Sequence, residues 1–201
     1  MRSHARALLA LVALVLFAAG NGPAVAAAAG KPRTFRSDYD EHFRKYSKRY
    51  FGVNKDWRWF KAQAIAESNL DSNAKSWVSA KGVMQIMPRT FADLQKKNPE
   101  FADIDDPRWN IAAGIYYDSI LWRRYDLLAE EQQRRNFMFG AYNAGPTTMT
   151  RARQVAEKAG HDSSQWSSVV AIAPQVPSWR HKETVNYVER IQGYFATLQT
   201  Q

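Results

Sequence analysis

The 201-residue chain is 45% apolar and 13% aromatic, which excludes a disordered polypeptide and allows one domain with its own core. It has no cysteine, which excludes disulfides, a lipidated cysteine and cysteine-ligated metal centres. Its net charge of +9 suits a polyanionic partner (nucleic acid, acidic lipid or a carboxylate-rich wall) and by itself selects none of them.

Arg2 and Arg6 precede the apolar run "ALLALVALVLFAA", followed by the small-residue tract "AVAAAAG". This is the form of a secretory leader, and the run is shorter than the ~20 residues of a spanning helix. Residues 1–28 are expected to be a signal peptide. They would export a soluble protein to the periplasm or the medium, with no stable membrane span after cleavage and no lipid anchor. Residues 29–52 are expected to hold a linker, "GKPRTFRSD", and a first helix, "DYDEHFRKYSKRYF", with Phe43, Tyr46 and Tyr50 at helical spacing and Gly52 at its end. The remainder, 53–201, is expected to be the functional domain.

A second helix is predicted in "NKDWRWFKAQAIAESNL", with Asn54 or Asp56 as N-cap. "DSNAKSWVSAKG" is turn-rich, with room for short strands. "MPRTFADLQKK" places Pro88 in a helical first turn. "DIDDPRWNIAAGIYYDSILWRRYDLL" opens as a loop and continues as a long helix. "EEQQRRNFMFGAYNAG" is helical until Gly145 and Pro146, and "TTMTRARQVAEKAG" stops at Gly160. "APQVPSW" reads as loop. "KETVNYVERIQGYFATL" closes the chain, with Val188, Ile191, Phe195 and Leu198 on one stripe. No segment alternates as a long strand, so the fold class is mainly α with at most a small β-hairpin region.

Chemistry enters at Glu67. At about 100° per residue it shares a side of its helix with Phe60 and Ala64. An acid in apolar surroundings resists ionisation, and one that keeps its proton can donate it to a leaving oxygen. A helix-end glutamate turned to water, or paired with an arginine, would look the same in sequence. The aspartates of "DIDDPRWN" lack the glycine and terminal glutamate of a calcium loop and read as a turn. No cofactor or metal is expected.

Four stretches carry a resemblance: "ES" (Glu67, Ser68); "S…GVMQIMP", with Ser76 nine and Gln85 eighteen residues after Glu67; "DPRWNIAAG" with "AYNAGP"; and "KETVNYV". In this order and spacing they resemble the SLT-type lytic transglycosylases, relatives of goose-type lysozyme. The resemblance covers about Trp57 to Phe195 and implies a single helical, lysozyme-like domain. Departures are mild: Val83 stands where Leu is usual, Ser79 where Gly is common and Ser72 where Pro is common.

The resemblance implies cleavage of the β-1,4 bond between N-acetylmuramic acid and N-acetylglucosamine in peptidoglycan, with the muramyl O6 closing on C1. It makes Glu67 the catalytic acid and base. It implies contacts to the substrate from Ser76, Met84, Gln85, Tyr142, Asn143 and Glu183. For each a plainer reading exists: turn serine, core methionine, backbone cap, aromatic anchor or helix-end acid. Asn110 reads as a loop-closing or capping residue. The expected partner is the glycan strand, with an envelope machine as a further partner of unknown identity. Export and the lack of a nucleic-acid motif argue against nucleic acid. The alternatives are a lysozyme-like or chitinase-like hydrolase and a non-catalytic wall-binding module.

Overall fold

The computed structural model describes residues 34–201. The expected signal peptide lies outside the described residues. Among the described residues eight α-helices and one 3₁₀ turn follow one another, and the only β-pairing is two isolated antiparallel bridges, Lys75 with Lys81 and Lys81 with Ile86. The mainly helical expectation therefore holds, and the turn-rich loop has bridges where short strands were allowed for. Among the described residues no helix is long and apolar enough to cross a membrane.

The chain divides into two compact units, with the boundaries falling inside the fourth and the last helix. The first unit comprises residues 34–120 and 186–201. It holds α1 (Asp40–Phe51), α2 (Arg58–Ser68), α3 (Pro88–Lys97), most of α4 (Pro107–Arg124) and most of α8 (His181–Gln199). Helix α1 ends at Gly52, whose φ of 88° is one a side chain would resist. It buries Phe43 and Tyr46, on the predicted stripe.

Helix α2 starts later than Asn54. Trp57 takes the cap position, and the Asp56 carboxylate accepts a hydrogen bond from Arg58 N at 3.0 Å. Every residue from Phe60 to Ser68 is buried, so α2 is a central helix rather than an amphipathic surface one. Alanines at 62, 64 and 66 favour the helix and let neighbours approach closely. Trp59 stacks on Phe195 of α8, with centroids 3.6 Å apart, and this places one member of the predicted α8 stripe. Val188, Ile191 and Leu198 are buried as predicted. Phe35, in the expected linker, meets Tyr194 edge to face.

The second unit, Leu121–Val185, holds α5 (Glu131–Ala144), α6 (Pro146–Lys158) and α7 (Trp166–Ala171). Gly145 ends α5 and Pro146 opens α6, as their conformational preferences dictate. Helix α7 was not expected: six residues are too few to show a period. It is anchored by Trp166, whose backbone N–H bonds Gln133 of α5 and whose ring meets Phe137 edge to face. The predicted "APQVPSW" loop includes the 3₁₀ turn Ala173–Gln175.

Candidate active site

Glu67 lies in the last turn of α2 and is 8% exposed. It is therefore not turned to water. Burial and the negative end of the helix dipole both act against a charge there. Tyr187 of α8 opposes them by donating its hydroxyl to Glu67 Oε1 at 2.6 Å. Tyr187 is the tyrosine of the "KETVNYV" stretch, marked by its place in the resemblance but given no role there: a buried tyrosine in a helix reads as core until its partner, 120 positions away, is known.

The chain leaves α2 through two left-handed residues, Asn69 (φ 54°) and Leu70 (φ 65°). Asn69 N bonds Ile65 O, the usual left-handed helix stop. Ser68 then ties the helix end to the following loop, donating to Val83 O at 2.8 Å. That loop is closed on itself. Ser76 N bonds Ala80 O, Ser79 N bonds Ser76 O, Gly82 N bonds Ala74 O, and Lys81 and Ile86 exchange two backbone bonds. Ser79 (φ 68°), Gly82 (φ 73°) and Gln85 (φ 46°) all take left-handed conformations. Two non-glycine residues held there indicate a backbone constrained by its surroundings.

Helix α4 supplies much of that constraint. Asn110 is fully buried and closes the loop: its Oδ1 accepts from Met84 N, and its Nδ2 donates to the carbonyls of Lys81 and Ile104. A Cβ on Gly82 would lie 2.6 Å from Asn110 Nδ2, so only glycine fits. One turn along α4, a Cβ on Gly114 would lie 2.8 Å from the Met84 side chain. One turn further, Asp118 Oδ1 accepts a hydrogen bond from Gln63 Nε2 of α2 at 3.3 Å.

These contacts sort the expected site residues. The Ser76 hydroxyl accepts from Ala80 N at 2.9 Å, which makes it a turn serine whose own proton is left to donate. Gln85 is buried, and its Nε2 donates to the carbonyls of Ala74 and Gly82; it clamps the loop backbone. Met84 has no exposed surface and packs on Gly114, where it supports the loop. The aspartates of "DIDDPRWN" serve turns and an ion pair: Asp103 and Asp106 accept from the backbone N–H two residues on, and Asp105 pairs with Lys81 at 2.7 Å.

Tyr142, Asn143 and Glu183 belong to the other unit. There Trp179 Nε1 donates to Thr184 Oγ1, which donates to Asn143 Oδ1 at 2.8 Å. Glu183 pairs with Arg180 at 3.3 Å. Asn143, Thr184 and Glu183 line a cavity of about 60 Å³ within that unit. Tyr142 is half-buried in the last turn of α5.

The transglycosylase SLT domain family matches residues 42–165. The chain is 31% identical over 157 residues to a membrane-bound lytic murein transglycosylase F of Maricaulis maris, covering 73% of this chain and 33% of that protein. To its counterpart in Desulfosudis oleivorans it is 29% identical over 154 residues, covering 71% and 33%. Among solved structures it is similar to the 70 kDa soluble lytic transglycosylase of Escherichia coli, with a TM-score of 0.61 and 27% identity, covering 81% of this chain and 24% of that one. The chain thus spans about a third of the transglycosylase F relatives it matches. With more than half its length matched, the chain belongs to the transglycosylase SLT domain family.

Proposed function

We propose that this chain is a peptidoglycan lytic transglycosylase that cleaves the β-1,4 bond between N-acetylmuramic acid and N-acetylglucosamine and leaves 1,6-anhydro ends. The observation that carries this reading is the buried Glu67 carboxyl, held by the Tyr187 hydroxyl at the end of α2. Protonated Glu67 gives its hydrogen to the leaving glycosidic oxygen as the C1–O bond breaks. The substrate's N-acetyl oxygen shields the cationic C1, the substrate-assisted route that needs no second carboxylate. Glu67, now a carboxylate steadied by Tyr187, takes the proton from the muramyl O6 as O6 bonds to C1. The relatives' names, lytic murein transglycosylase, support the substrate class.

Other acids fit a second catalytic role poorly. Asp71 is exposed and accepts from Asn73 N in a turn, and Glu183 is paired with Arg180. Ser76 keeps a hydroxyl proton for an N-acetyl carbonyl, and the Gln85 clamp holds the loop that presents it. For Tyr142, Asn143 and Glu183 the support is the family stretch in which each stands. The same proposal includes a leader to residue 28, an approach segment over 29–52, a catalytic domain over 53–201, and export to the periplasm or medium.

Mass spectrometry of digested muropeptides tests the reaction. Anhydro ends, one water lighter than reducing ends, are expected from the wild type and none from Glu67→Gln of unchanged circular dichroism. Mainly reducing ends would make the protein a hydrolase. Binding to the wall with no cleavage by the wild type would make it a binding module.

A further inference from the structure

Asn110, Gly114 and Asp118 fall four residues apart on one face of α4. The first two brace the loop after Glu67; the third meets Gln63, which precedes Glu67 by one turn of α2. Neither Gln63 nor Asp118 has exposed surface. The hydrogen bond between them, Gln63 Nε2 to Asp118 Oδ1, leaves one oxygen over on each group. Asp118 Oδ2 and Gln63 Oε1 are both buried, and neither has a partner among the described residues. None of the described ion pairs includes Asp118.

A buried carboxylate with no cation and one weak hydrogen bond is strongly disfavoured. So is a buried amide oxygen with no donor. A single hydrogen removes both defects, because the two unsatisfied atoms are the remaining ends of a carboxyl and an amide already joined at one end. We propose that Asp118 is a protonated positioning residue whose Oδ2–H donates to Gln63 Oε1, closing a two-bond acid–amide pair that fixes the Glu67 helix to α4 without placing a second negative charge behind the catalytic acid.

The electrostatics point the same way. Burial pushes Asp118 well above the ordinary carboxylate value; the Gln63 hydrogen bond acts against this, and the charge of Glu67 adds to it. Among the described residues Glu67, on α2, is the charged group felt at Asp118, and Glu67 in turn accepts the Tyr187 hydroxyl of α8. Because the folded value is raised, the stabilisation from this proton is full below the value of an unfolded aspartate. It is lost as pH rises through the folded value. An ionised Asp118 would both open the pair and repel a Glu67 carboxylate.

The bearing on Glu67 rests on the catalytic role proposed above; the pair itself does not. Infrared difference spectra of the whole chain, wild type minus Asp118→Asn, read the pair directly at neutral pH. The expected result is a protonated carboxylic-acid carbonyl band present only in the wild type. Asparagine can make the same two bonds with an N–H in place of the O–H. Asp118→Asn is therefore expected to rescue the melting temperature and cleavage rate that Asp118→Ala loses, and to abolish the wild-type fall in stability with rising pH. Absence of the band, or an Asp118→Asn protein that folds but loses cleavage as far as Asp118→Ala, overturns the proposal. If Asp118→Ala does not fold, the band and the pH dependence of Asp118→Asn still decide. A wild type with no cleavage at all would sink the role of Glu67 and leave the pair to the infrared result.

Discussion

Tyr187 on the last helix donates its hydroxyl to Glu67 on the second, at 2.6 Å. A hydrogen bond to a carboxylate favours the charged form, so this one opposes burial and tunes how readily Glu67 gives up its proton. Tyr187→Phe keeps the ring in its buried seat and removes that bond. The expected outcome is a roughly ten- to hundredfold loss of cleavage, the equivalent of one charge-assisted hydrogen bond. The pH–rate profile should move to higher pH, because the carboxylate loses support. Release of anhydro-muropeptides across pH checks both, with a melting curve to establish that the fold is kept.

Asn110 makes three hydrogen bonds that hold the loop after Glu67. Asn110→Ala should destabilise the protein by about 3 kcal/mol, at about 1 kcal/mol for each bond. It should also lower cleavage, because Ser76 and the Gln85 clamp lie in the loop it releases. Denaturant melts and turnover of purified sacculi measure the two effects separately.

Ser79 stands where the family commonly has glycine, and its φ of 68° shows why glycine suits the place. Ser79→Gly relieves the left-handed strain and loses some chain stiffness in the unfolded state. A net gain of about 0.5 to 1 kcal/mol is expected. A melting temperature unchanged or lowered would show that the strain is absorbed elsewhere.

Lys61 is buried in the middle of α2, its Nζ 2.6 Å from Asp40 of α1. The lysine side chain is 4% exposed and the aspartate 18%. Removing either partner is thus unequal. Asp40→Ala leaves an uncompensated buried charge and should cost about 3 kcal/mol. Lys61→Met leaves an aspartate that water can reach and should cost less. Equal losses in denaturant melts would contradict this account.

Much of the helical framework could be read along the chain, because its signals are local. Gly52 stops α1, Pro88 opens α3, Gly145 and Pro146 divide α5 from α6, and the period of Val188, Ile191 and Leu198 gives the buried face of α8. Helix α7 escaped because six residues carry no period; its Trp166 is explained only by Gln133 and Phe137 of α5. The start of α2 was placed too early, since Asn54 and Asp56 are both good caps and only Asp56 bonds the first turn.

At the site, a glutamate on the apolar side of a helix was visible because helical spacing is an arithmetic property of the sequence. The family stretches marked further residues by position, not by task. That Met84 packs on Gly114, that the Gln85 amide clamps Ala74 and Gly82, and that Gln63 meets Asp118 are matters of contact that no local signal in the chain records. Propensity, capping and periodicity act over a few residues and so are written in order along the sequence. Burial, hydrogen-bond partners and the state of a buried proton depend on what the fold brings alongside, and only the tertiary structure decides them.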